Sequence, residues 1–140
     1  MIPYGRQDIN QADIDAVVAV LHSDYLTQGR AVPAFEQAVA DYCDAQHAVA
    51  VNSATSALHI ACLALGVGKG DSVWTTPITF VASANCALYC GATVDFVDID
   101  PQTYNLSVDR LAGKLVEAEK TGKLDYLCSF KKQKLKGNVL

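Results

Sequence analysis

Several motifs and residue patterns are missing from this 140-residue chain, and each absence excludes a class of protein. There is no G-x-x-x-x-G-K-[ST] loop and no G-x-G-x-x-G turn, so neither the P-loop nor the dinucleotide fingerprint applies. No Cys-x-x-Cys pair occurs among Cys43, Cys62, Cys86, Cys90 and Cys128, and no histidine stands at a spacing that completes a zinc site with them. Such cysteines read as small apolar side chains, mostly buried, in a reducing compartment. The N-terminus, MIPYGRQDIN, lacks a basic n-region and an apolar h-region, so no signal peptide is read there. The longest apolar stretch, around Ala54 to Leu65, is too short and too polar to cross a bilayer. Internal repeats, low-complexity tracts and linkers are also missing. Together these absences predict a cytoplasmic protein with no membrane partner and no metal.

Positive charge is scarce outside the C-terminal end. Residues 127–140 hold Lys131, Lys132, Lys134 and Lys136 and no acid, while the whole chain carries −4, which leaves −8 on the rest. An acidic body of this kind argues against nucleic acid as a partner, and the lysine run reads as a solvated tail. Apolar residues make up 51% and charged residues 19%, enough for one buried core and too apolar for general disorder.

The order of elements is legible from periodicity and stop signals. Asn10, with Asp13 three residues on, predicts a capping box. Ile14, Val17, Val18 and Leu21 then follow at helical spacing to about His22. After the loop SDYLTQG, Pro33 is expected to open a second helix at its first position, with Phe35, Ala38, Val39 and Tyr42 facing inward. Ala48–Val51 reads as a short buried strand. A helix bearing Leu58, Ala61, Cys62 and Leu65 follows and stops at Gly66. SVWTT reads as a strand ended by Pro77. A helix from about Val81 to Tyr89 stops at Gly91. TVDFVDI alternates like a strand until Asp100-Pro101 breaks it. Ser107 caps a last helix with Leu111, Leu115 and Ala118 inward, and a short apolar piece lies around Tyr126–Phe130. After two leading helices the pattern is β-α-β-α-β-α-β. That predicts a three-layer α/β fold on a mostly parallel sheet flanked by helices.

Three segments carry candidate chemistry. Ser53, Ala54, Thr55 and Ser56 lie at a strand-to-helix turn, where unpaired N–H groups, the helix dipole and hydroxyls suit a phosphate; an ordinary serine cap explains the same residues. Phe80 follows the next strand, at the edge where parallel sheets bind ligands, so its ring could lie on a flat cofactor or belong to the core. Tyr4-Gly5 and Asp24-Tyr25-Leu26-Thr27-Gln28-Gly29 flank the first helix and could line a pocket or form surface loops. His59 reads as a packing residue, and Asp95, Asp98 and Asp100 read as solvated or turn aspartates.

Taken together, IPYGRQDIN, DYLTQG, F-E-x-x-x-A, VNSATSALHIA, GVGKGDSVWTTPITFVASANC and GATVDFVDIDPQTYNLS resemble, in order and spacing, the N-terminal third of the DegT/DnrJ/EryC1/StrS sugar aminotransferases. The resemblance runs from residue 2 to about residue 124. It implies part of the large domain of the type I pyridoxal 5′-phosphate (PLP) aminotransferase fold, acting as a homodimer. NSATSAL and TTPITFVASAN resemble the branch that aminates C4 of a UDP-linked 4-keto-6-deoxy-N-acetyl-hexosamine in pseudaminic acid synthesis, with glutamate as donor. By this resemblance Ser53, Ala54 and Thr55 hold the cofactor phosphate, and Phe80 stacks on the pyridine ring. Tyr4, Asp24, Tyr25, Leu26 and Thr27 contact the sugar nucleotide. Many members carry glycine where this chain has Ala54; the resembling branch shares the alanine.

The resemblance also requires a lysine that forms a Schiff base with the cofactor and a carboxylate at the pyridine nitrogen, both supplied further along family members. Lys69 sits in a Gly-Lys-Gly turn, Lys114, Lys120 and Lys123 fall on or after the polar side of a helix, and the tail lysines are clustered, so no catalytic residue is expected here. From about Leu124 the sequence DYLCSFKKQKLKGNVL departs from the family pattern. Residues 1–124 are therefore read as family sequence and 125–140 as a divergent basic tail, a frameshift or truncation. The expectation is a fragment that is inactive alone. A non-catalytic nucleotide-sugar or phosphate-binding fragment, a relic that binds nothing, and a branch with dehydratase chemistry are the alternatives.

Overall fold

The computed structural model of the chain describes residues 5–121, in two compact units that divide after Ala50. The first unit begins with the expected capping box. Asn10 Oδ1 accepts from the Ala12 N–H at 2.8 Å, and the Asp13 carboxylate accepts from the Asn10 N–H at 2.9 Å. These bonds start α1, Gln11–Leu21. The second helix, α2, spans Ala31–Tyr42. Pro33 is thus its third residue, not its first. No N–H of the first turn has an acceptor inside the helix, so a residue without one is tolerated there.

The expected inner faces of this unit are not covered. Ile14, Val17, Val18 and Leu21 of α1 are exposed, as are Phe35, Ala38, Val39 and Tyr42 of α2; Ala40 is the one buried residue in the two helices. Periodicity selects a face, but burial needs a partner surface, and the described residues lay none over these two. The strand expected over Ala48–Val51 does not form either. Strands exist by pairing, and the Ala50 N–H is taken by the Glu36 carboxylate at 2.8 Å.

The second unit carries the α/β arrangement. Here α3 is Ala54–Ala64, β1 is Ser72–Thr75, α4 is Ala82–Tyr89, β2 is Thr93–Phe96 and α5 is Val108–Lys120. The strands pair in parallel, with Val73 opposite Val94 and Trp74 opposite Asp95. Successive side chains point to opposite faces. Val73 and Val94 accordingly pack on the core cluster of Val67, Ala87 and Ala92, while Trp74 and Asp95 meet Lys114 of α5 on the other side. Helices therefore cover both faces of a parallel sheet, as the β-α-β reading predicts. The expected piece around Tyr126–Phe130 lies outside the described residues.

Two helix ends build this core. Gly66 follows α3 at φ 74°, where Gly66 N–H bonds to Leu63 O and Val67 N–H reaches back to Cys62 O, each at 3.0 Å. Gly91 follows α4 at φ 78°, with Gly91 N–H on Leu88 O and Ala92 N–H on Ala87 O. Both are Schellman ends, which call for a residue at positive φ and bring the next residue onto the last turn. The residues so delivered, Val67 and Ala92, are the ones that meet Ala87 in the cluster. Cys86 is buried, Cys62 and Cys90 half-buried, and Cys43 is exposed, against the reading of most cysteines as buried.

Candidate functional site

The shared cluster orients the helix pair. The C-terminal parts of α3 (Cys62, and Val67 just beyond) and of α4 (Ala87, Cys90) lie together, and the His59 and Tyr89 rings are 5.3 Å apart. The two helices therefore run side by side in the same direction, and both N-termini point toward the C-terminal end of β1. Stepping back from the His59–Tyr89 contact brings Ser53 level with the start of α4. Ser53–Ser56 and Phe80 thus occur at one end of the unit.

At that end Ser53 is the N-cap of α3, with extended backbone. Its Oγ accepts from the Ser56 N–H at 3.2 Å and lies 3.2 Å from Ser56 Oγ. Ala57 N–H bonds to Ser53 O at 3.0 Å. The N–H groups of Ala54 and Thr55 have no acceptor within the helix, and neither they nor the Thr55 hydroxyl is bonded among the described residues. Ser53 and Ala54 are exposed, and Thr55 and Ser56 half-buried. Two free amides and a free hydroxyl on a positive helix end fit a phosphate in both charge and donor count.

Phe80 stands in the loop from β1 to α4 and is 74% exposed, so it is not a core residue. The loop is held from within. Thr76 Oγ1 donates to Ile78 O at 3.2 Å, Thr79 Oγ1 lies 3.1 Å from Ser83 Oγ, and Ser83 N–H bonds to Phe80 O at 3.0 Å. An uncovered ring on a braced loop fits a flat heteroaromatic ligand.

The other candidates fall in the first unit or outside the described residues. Tyr4 lies outside them. Asp24, Tyr25, Leu26 and Thr27 are exposed in the loop between α1 and α2. A cavity of about 360 Å³ opens beside that loop, lined by Tyr25, Gln28, Gly29, Arg30 and Pro33.

Lys114 differs from its expected place. The inward stripe of α5 is Leu111, Lys114 and Ala118, and Leu115 lies at its exposed edge. The Lys114 ammonium is 2.6 Å from Asp95 Oδ2, donates to Phe96 O at 2.7 Å and sits 4.8 Å from the Trp74 ring centre. The long stem of lysine lets it lie inward while its charge finds these partners. A cavity of about 610 Å³ lies there under α5 and not at the Ser53–Phe80 end. The Lys114 ammonium that lines it is already matched by Asp95. Asp98 pairs with Arg110 at 3.1 Å. Asp100 accepts from the N–H groups of Thr103 and Gln102, which hold its carboxyl below the usual aspartate range. Asp100 thus has the turn role expected of it, whereas Asp95 and Asp98 are ion-paired with α5, a role the reading as solvated or turn aspartates did not include.

A family model for the DegT/DnrJ/EryC1/StrS aminotransferases matches residues 7–121. Among curated proteins, the UDP-4-amino-4,6-dideoxy-N-acetyl-beta-L-altrosamine transaminase of Campylobacter jejuni is 47% identical over 84% of this chain and 31% of its own length. GDP-perosamine synthase of Caulobacter vibrioides is 44% identical over 76% of this chain and 28% of its own. A Streptococcus pneumoniae protein, solved in apo, pyridoxamine 5′-phosphate (PMP) and PLP forms, matches with a TM-score of 0.74 at 35% identity. That match covers 79% of this chain and 28% of the other. The chain spans about a third of the length of the curated relatives it matches. Among the described residues, no helix is long and apolar enough to cross a membrane. A match across most of the chain, on an α/β arrangement shared with solved aminotransferases, places this protein in the DegT/DnrJ/EryC1/StrS aminotransferase family.

Proposed function

We propose that this chain contributes the cofactor cradle and part of the substrate surface of a PLP-dependent sugar aminotransferase. The reaction is transamination at C4 of a UDP-linked 4-keto-6-deoxy-N-acetyl-hexosamine with glutamate as donor, in the cytoplasm, by a homodimer. On this reading residues 1–124 belong to the large domain, and 125–140 form a basic tail that departs from it. The C. jejuni relative supports the substrate, and the PLP and PMP forms of the S. pneumoniae relative support the cofactor.

One observation carries the reading: the free Ala54 and Thr55 amides and the Thr55 hydroxyl lie at the same end as the exposed Phe80 ring. When bound, PLP supplies an electron sink for moving a proton and an amino group at a substrate carbon. The residues of this chain hold it. Ser53 shapes the turn, Ala54 and Thr55 donate to the phosphate, and Phe80 covers a ring face. Tyr4, Asp24, Tyr25, Leu26 and Thr27 are proposed to meet the sugar nucleotide.

Proton transfer needs a lysine amine. Among the described lysines, Lys69 and Lys120 are exposed and Lys114 is held by Asp95 and Phe96 O. These 140 residues by themselves are therefore proposed to bind without turnover. This also sustains a second reading, a non-catalytic phosphate or nucleotide-sugar binder.

The test uses PMP, which has no aldehyde to react adventitiously with lysines. Calorimetric titration should show binding that weakens about tenfold in Thr55→Val, the loss of one hydrogen bond to a charged group. Phe80→Ala should weaken it less. Binding that ignores both substitutions, or no binding, removes the cradle. Turnover of a UDP-4-keto sugar with glutamate by this chain alone would contradict the inactivity. UDP binding without PMP binding would favour the second reading.

A further inference from the structure

The cavity beside the substrate loop has features that the proposed substrate contacts do not use. Of its lining only Tyr25 is among those contacts; Gln28, Gly29, Arg30 and Pro33 are not. Its volume, about 360 Å³, is at the small end of ligand sites, which run from about 300 to 1,000 Å³. That size suits one end of a sugar nucleotide, not the whole of it.

The loop is shaped by contacts of its own. The Ser23 hydroxyl lies 2.7 Å from Val20 O and 3.2 Å from Tyr25 O, and Gln28 has φ 54°. A Cβ at position 29 would come within 2.8 Å of Tyr25 O, so only glycine permits the close approach that brings Tyr25 and Arg30 to one cavity.

The charge at this place is unusual for its surroundings. Residues 5–50 contain seven carboxylates and two arginines. Arg30 nevertheless has no ion-pair or hydrogen-bond partner among the described residues; Glu36 is engaged with the Ala50 N–H, and Asp24 forms no ion pair with it. An unpaired guanidinium at a cavity, next to a phenol ring, has the chemistry of an anion-and-aromatic site. Guanidinium takes phosphate oxygens bidentately, and a ring offers its face to a base.

We infer that Arg30 and Tyr25 bind the nucleoside diphosphate end of the substrate, Arg30 on the diphosphate and Tyr25 against the base. This rests on the reading that the substrate is a sugar nucleotide. It adds Arg30 as a residue that selects for the diphosphate.

The test is calorimetric titration of the 140-residue chain with UDP, inorganic pyrophosphate and uridine, for wild type, Arg30→Gln, Arg30→Lys and Tyr25→Leu. Circular dichroism checks that each variant keeps its helices. Arg30→Gln should weaken UDP and pyrophosphate about tenfold and leave uridine unchanged, and Arg30→Lys should recover part of the loss. Tyr25→Leu should weaken UDP and uridine and spare pyrophosphate. Equal UDP binding by wild type and Arg30→Gln, or no UDP binding by wild type, overturns the inference. PMP titration reads the Ser53–Phe80 cradle separately, so the cradle can stand when this site fails, and the reverse.

Discussion

The two ends of the α3–α4 pair use their residues in opposite ways. At the C-terminal end Gly66 and Gly91 turn the chain back, bond the last carbonyls and bury Val67, Ala87 and Ala92. At the N-terminal end the Ala54 and Thr55 amides stay free, and Phe80 stays uncovered. One end satisfies its backbone groups inside the chain, and the other leaves two of its amides free among the described residues. The difference teaches that the buried cluster and the free donors are separated along the helix axes, so each can be disturbed without the other.

The largest expected effect is at the closed end. Ala87 is 0% exposed. Ala87→Asp would put an unpaired carboxylate into the cluster, at a cost on the order of 3 kcal/mol or more. The second unit should lose its cooperative thermal transition, followed by far-ultraviolet circular dichroism. An unchanged melt would mean that the cluster does not hold the unit together.

Gly91→Ala should be milder. A Cβ there would meet nothing nearer than Lys69 N at 4.0 Å, so the cost is that of a positive φ alone, about 1 kcal/mol. Chemical denaturation measures it. The comparison sharpens if PMP affinity is unchanged in this variant, and breaks if affinity falls as far as stability does.

On the opposite sheet face, Lys114→Met removes an ion pair, a carbonyl bond and a cation–ring contact. The pair is partly exposed, with side-chain exposures of 24% and 55%, so the loss should stay below about 1 kcal/mol. Trp74 is the only tryptophan, and its emission should shift as the ammonium leaves. Unshifted emission would show that Lys114 does not sit on the ring in solution.

The smallest effect concerns Asp100. Hydrogen bonds from the Thr103 and Gln102 N–H groups favour its charged form and lower its pKa. A depressed carboxyl stabilises the folded turn above its unfolded pKa, and that contribution is lost as pH falls through the folded one. Amide exchange at Gln102 and Thr103 should quicken below the usual aspartate range, and Asp100→Asn should abolish that pH dependence. Exchange with the same pH profile in both proteins would discard this role.

Much of the local structure was legible before any coordinates. Asn10, Gly66, Gly91 and Ser107 act within a few residues of themselves, and each stands where its element starts or stops. The Ser53–Ser56 helix start was readable for the same reason, because hydroxyls and free amides at a helix start are local facts. Other readings needed distant residues. Ala48–Val51 is apolar enough for a strand and finds no strand partner; Pro33 marks a helix start only to within two residues.

The sequence by itself determined the order of elements, the caps and turns, and membership of the aminotransferase family, because these depend on short-range stereochemistry and on motifs held in one order. Only the tertiary structure decided which apolar faces are covered, that Lys114 points to Trp74 and Asp95, and that Ser53 and Phe80 share one end. Those are contacts between residues far apart along the chain. Periodicity can nominate a face for such contacts, but it cannot supply the surface that meets it.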